Sequence, residues 1–174
     1  MYRRVLVTLD ESELSESVLP EVARMASGSE VPLTIILTVA AVPAPTLQSM
    51  PDAREVPAML GGHLGSIALE PRLVESTGQA LRRVDDELKT YLEGKAQPLR
   101  DKGLTVETVV RFGDPTKEII DYAKTHDIDM IVMATHGRTG PSRTLLGSVA
   151  GRVLASGVKP VLMVRPHPDV DQKA

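Results

Sequence analysis

Five short runs of mostly apolar, often β-branched residues recur along this 174-residue chain: Val5–Leu9, Val31–Val39, Thr105–Phe112, Met130–Ala134 and Val161–Val164. Runs with almost no polar break, such as Val5–Leu9 and Val31–Val39, suit strands buried on both faces, while Thr105–Phe112 alternates. Between the runs, apolar residues shift to helical spacing. Strand alternating with helix four times, then a last strand, predicts one parallel sheet with helices on both faces and right-handed crossovers. At 174 residues the chain is long enough for one domain with a substantial core and short for two.

The intervening segments carry their own start and stop signals. Ser12 caps a helix whose apolar face is Leu14, Val18, Val22 and Met25, with Glu11, Glu13 and Glu16 near its positive end. Pro20 removes one backbone donor and predicts a kink. Ala80, Leu81, Val84, Leu88, Leu92 and Ala96 mark a longer amphipathic helix over Thr77–Leu99, whose charged face, including Asp85, Asp86, Glu87 and Lys89, reads as solvated. Gly113-Asp114-Pro115 reads as turn, N-cap and first residue of a third helix. Residues 41–75, with Pro43, Pro45, Pro51, Pro57 and Pro71, form an insertion; a structureless loop of that length is uncommon in a compact domain, so it reads as a lid, a dimer-contact arm or, first of these, a mobile insertion. A polar tail covers residues 167–174, leaving one domain over residues 1–166.

The segment Met130–Val149, MIVMATHGRTGPSRTLLGSV, combines a strand, a polar loop with two glycines and a proline, and a helix start. Such a turn gathers backbone N–H groups and the positive end of a helix at one place, which suits a phosphate. The expected donors are the amides of Gly137, Gly147, Ser148 and Val149 with the Ser148 hydroxyl, and Arg138 and Arg143 can add positive charge. Gly137 and Gly147 are expected to permit close backbone approach or an unusual dihedral. Asp10 ends the first strand, where open α/β sheets place ligand groups. A carboxylate there serves equally as a ligand contact or as a turn or cap residue.

Other chemistries lack their residues. Gly-Lys-Ser/Thr, Gly-x-Gly-x-x-Gly and Gly-x-Ser-x-Gly are all absent. His136 stands in the loop without a carboxylate to orient it, and His63, His126 and His167 lack metal-ligand spacing. No catalytic constellation emerges, so any hydrolysis of a bound phosphate compound is expected to be slow. The chain has no cysteine, which excludes disulfide and thiol chemistry and fits a reducing cytoplasm. A net charge of −3 with scattered basic residues, and only 2% aromatics, argues against nucleic-acid capture. No apolar run is long enough for a membrane span.

Ala134-Thr135-His136-Gly137, nine further residues, then Gly147-Ser148 resembles the nucleotide loop of the universal stress protein family, whose ATP-binding branch reads Gly-x2-Gly-x9-Gly-Ser/Thr. Ala134 replaces the first glycine of that pattern. Arg4–Ser12, Gly113-Asp114-Pro115 and Lys159–Val164 resemble further family segments, so the likeness covers nearly all but the insertion. It implies an open, doubly wound five-stranded sheet of order 3-2-1-4-5, adenine nucleotide alpha hydrolase-like, in which Asp10 and the loop after Ala134 face one crevice. It also implies ATP with Mg2+ held chiefly by the phosphates, and a regulatory, stress-response role. Asp10 would contact the ribose or adenine, the Val39 backbone would read the adenine edge, and Met133 with Ala134 would line the site. The last strand, Val161–Val164, would pair two copies into a homodimer. The Ala134 methyl favours a second function class, a dimeric interaction module of the same fold that binds no nucleotide.

Overall fold

The computed structural model describes residues 2–25, 33–43, 46–48, 72–135 and 146–165. In chain order the elements are β1 (Arg4–Leu9), α1 (Glu13–Glu16), α2 (Leu19–Met25), β2 (Leu33–Ala40), β3 (Thr46–Gln48), β4 (Arg72–Glu75), α3 (Thr77–Arg100), β5 (Val106–Phe112), α4 (Pro115–Thr125), β6 (Met130–Ala134), α5 (Ser148–Ser156) and β7 (Val161–Val164). Five strands form one sheet in the order β5-β2-β1-β6-β7, every neighbouring pair parallel. Counting only its strands in chain order, that is 3-2-1-4-5, the arrangement the family resemblance implies.

Side chains alternate across β1, and the alternation sorts them into two cores. Val5, Val7 and Leu9 pack with Ile36, Val132, Val18, Val22, Leu92 and Ala96 on one face. Leu6 packs on the other with Ile35, Leu37, Ile131, Met133, Ile119, Ala123 and Val153. Both faces of the central strand are therefore sealed. Each fully buried Val, Leu or Ile side chain contributes about 1.5–3 kcal/mol of transfer free energy.

The single kinked helix expected after Ser12 is instead two helices. Ser12 does cap α1, its Oγ accepting from the Ser15 amide at 3.1 Å. Pro20 lies at the second residue of α2, where a missing N–H costs no helical bond, and α1 has already closed through Ser17 N to Glu13 O. Asp114 caps α4 by accepting from the Lys117 amide at 2.9 Å, and Pro115 is its first residue, as its sequence signature predicts.

The chain divides into two compact units, residues 1–42 with 85–174, and residues 43–84. The second contains an antiparallel pair, β3 with β4, irregular between Thr46 and Leu47. Part of the 41–75 insertion is thus a ladder. Alternating apolar signal is too short in three- and four-residue strands to be distinguished from loop.

Candidate functional site

In the larger unit, β2 outruns β1. Leu9 is level with Thr38, yet β2 continues to Ala40, while Glu11 adopts a left-handed φ of 62° that turns the chain away. In a parallel ladder, alternate residues direct both backbone polar groups to the same neighbour. The Leu33 amide donates to Arg3 O on the β1 side, and the Ala40 carbonyl accepts from Gly113 on the β5 side. Val39 therefore directs its carbonyl toward β1, beyond the point where β1 supplies a donor. The Thr135 amide donates to Val164, so Ala134 likewise faces β1. Its carbonyl would take the Asp10 amide, but that amide donates to Ser15 Oγ at 3.1 Å. Two carbonyls, Val39 and Ala134, thus lack a ladder partner among the described residues, one on either side of the end of β1.

Asp10 adds a third acceptor. Its Oδ1 accepts from the Ser12 hydroxyl at 2.5 Å and from the Ser12 amide at 3.2 Å. Partial burial pushes this carboxyl up, but hydrogen bonding by Ser12, Ser15 and nearby backbone amides outweighs it and holds Asp10 below the ordinary carboxylate range. The group is thus a fixed anion at neutral pH. Its sequence reading as a turn residue and its place at the crevice are both realised in the structure.

Donors line the same cavity. Gly147 is the N-cap of α5 and supplies no side chain, and the first helical bond recorded is Gly151 N to Gly147 O at 2.8 Å. The amides of Ser148, Val149 and Ala150 consequently have no partner within the helix, and they carry its positive end. These residues, with Thr8, Asp10, Leu37, Val39, Met133, Ala134, Pro115 and Ile119 among others, enclose a cavity of about 290 Å³. Its size is near the lower end of small-molecule sites.

Seven residues singled out in the sequence, Asp10, Val39, Met133, Ala134, Gly147, Ser148 and Val149, therefore stand in one wall system. Gly137 and Arg138, with His136 and Arg143, lie outside the described residues. Gly147 does not owe its place to an unusual dihedral. Its φ of −55° suits any residue, and a Cβ there would meet no atom within 4 Å. Backbone dihedral does not require glycine at this position; only close approach of a ligand can. Ala134 is an ordinary strand residue paired with Val164. Sequence reasoning missed Thr8, Leu37, Pro115 and Ile119. Thr8 had left a signal, a lone hydroxyl inside an apolar strand two residues before Asp10. Among the described residues no cluster of His, Cys, Asp or Glu could hold a metal ion, and no helix is long and apolar enough to cross a membrane.

Comparison with known proteins decides the family. The model of the universal stress protein family matches residues 1–165. This chain belongs to that family. Among universal stress proteins it is similar to MJ0577 of Methanocaldococcus jannaschii, at 28% identity over 95% of this chain and 96% of the relative. The solved structure of MJ0577 superposes with a TM-score of 0.69 at 26% identity, covering 96% of this chain and 98% of the other. A universal stress protein solved in complex with cAMP has a TM-score of 0.61 at 19% identity, covering 95% and 98%. One from Archaeoglobus fulgidus, solved in complex with dAMP, has a TM-score of 0.56 at 21% identity, covering 93% and 97%. These last two likenesses establish the shared fold.

Proposed function

We propose that this universal stress protein binds an adenine nucleotide, ATP with Mg2+ held chiefly by the phosphates, and acts as a cytoplasmic sensor or regulator. The observation that carries this reading is the polarity of the cavity. Its lining combines acceptors, the Asp10 carboxylate and the Val39 and Ala134 carbonyls, with the amides of Ser148, Val149 and Ala150, which have no partner within their helix. A nucleoside offers hydroxyls and an amine to the first set, and a phosphate offers anionic oxygens to the second. The related proteins solved with cAMP and dAMP hold ligands of this class. Arg138 and Gly137 extend the phosphate side in this reading. Its described residues supply positioning groups and no paired nucleophile and base, so this reading expects retention over turnover.

Native mass spectrometry followed by titration with ATP and Mg2+ tests the reading. Retained nucleotide, or binding at micromolar concentration, supports it; no uptake at millimolar ATP overturns it. The same spectra report the second reading, a homodimer through Val161–Val164 that works as an interaction module. Leu162 on that strand is 38% exposed, which favours an apolar partner surface. The two readings are compatible if a dimer also binds nucleotide, and a ligand-free dimer leaves only the second.

A further inference from the structure

The floor of the cavity is a lateral row of side chains from three adjacent strands. Thr8 of β1 is level with Leu37 of β2, and the register of Val7 with Val132 places Met133 of β6 at its other side. All three line the cavity on the face that carries Leu6, Ile35 and Ile131 in its core. Thr8 is the one polar member and sits in the middle. It is only 9% exposed. Among the described residues no hydrogen bond reaches its hydroxyl, although Ser12 and Ser15 nearby are bonded to their own turn. Thr34 and Thr116 also have unpartnered hydroxyls, but theirs are sealed from any open space, whereas Thr8 lines a cavity. The Thr8 hydroxyl is not sealed like those two and opens on the cavity, so among the described residues only water or a ligand held there can partner it. Local packing does not explain why a threonine stands here.

We propose that the Thr8 hydroxyl is a specificity-determining contact to the base of the bound nucleotide. The inference rests on the nucleotide reading above and deepens it. Phosphates are drawn to the α5 amides and repelled by the Asp10 carboxylate, which leaves the strand row for the base. The flat row Leu37, Thr8 and Met133 suits a planar heteroaromatic ring, and a hydroxyl that both donates and accepts pairs with a ring nitrogen or an exocyclic amine of that ring. A base that presents such an atom satisfies the orphan hydroxyl. An apolar ring of the same shape leaves it unpaired and is rejected.

The test is Thr8→Val, which keeps shape and removes the hydroxyl, with calorimetric titration of ATP, adenosine and inorganic triphosphate and a parallel thermal melt. ATP and adenosine should weaken by the same factor, about 3- to 10-fold, with triphosphate unchanged and the melting temperature unchanged or raised. Thr8→Ser should restore the wild-type affinities. Equal binding of ATP by wild type and Thr8→Val overturns the proposal alone, and so does a loss shared by triphosphate or accompanied by a lower melting temperature. A wild-type chain that binds neither ATP nor adenosine overturns the nucleotide reading, and this proposal with it.

Discussion

The two edges of the sheet are built from similar strands and treated differently. At the β5 edge, Val106 points its carbonyl outward, and Arg100 of α3 closes it with Nε at 3.2 Å and Nη2 at 2.9 Å. Glu93 holds that guanidinium and also accepts from Thr108 Oγ1 at 2.6 Å, so one helix lays a polar clasp along the strand. At the β7 edge, Leu162 is 38% exposed and Val161 and Met163 are half-buried. Unpaired strand edges invite another chain unless something blocks them. One edge has its blocker built in; the other presents apolar side chains where a second copy can supply the pairing. The contrast singles out β7 as the edge along which a second copy would pair.

The strongest way to break the comparison is Leu162→Asp. If β7 is the dimer edge, an unpaired charge there costs on the order of 3 kcal/mol, roughly 100-fold in the dimer constant. Sedimentation should show monomer at concentrations where wild type is dimeric, and an unchanged dimer rejects the edge.

The same distinction between satisfied and open backbone groups separates the ends of α4 and α5. Asp114 caps the first, while Gly147 leaves the second open. Gly147→Asp should cap α5, stabilising the fold by a few tenths of a kcal/mol over glycine, and set a carboxylate against the amides proposed for phosphate. ATP affinity should fall at least about 10-fold, since a charge-assisted bond is worth about 1.5–3 kcal/mol. A variant that is more stable and binds ATP normally would remove phosphate from that wall.

Arg100→Ala should open the β5 clasp. The expected result is a small drop in melting temperature and new association that grows with concentration, read by light scattering. Monodisperse behaviour equal to wild type would show that Arg100 does not protect this edge.

The smallest effect is electrostatic. Asp10 has a depressed carboxyl in the folded chain, so its contribution to stability is present above the unfolded-state value and is lost as pH falls through the folded one. Asp10→Asn should therefore lower stability slightly at neutral pH, leave it nearly unchanged below the carboxylate range, and flatten the acid limb in between. An unaltered acid limb would separate Asp10 from that titration.

Much of the fold is local chemistry and could be read in order. Val5–Leu9 is a strand because no polar residue but Thr8 interrupts it, and Ser12 and Asp114 cap because a short side-chain oxygen reaches an amide three residues on. That Asp10, Val39 and the Gly147–Val149 turn share one site follows from the strand order that the family resemblance implies. The split at Pro20 was only half legible, since a proline signals a broken bond but its position within a turn decides between a kink and a new helix.

The sequence by itself determined the alternation of strands and helices, the caps and the absence of cysteine chemistry, because each depends on neighbours a few residues away. Tertiary structure decided which carbonyls are left open, that Thr8 lies between Leu37 and Met133, and that Arg100 guards one edge while Leu162 lies bare at the other. Those facts depend on register between strands far apart in the chain. A polar group is satisfied or orphaned only once its neighbours across the sheet are fixed.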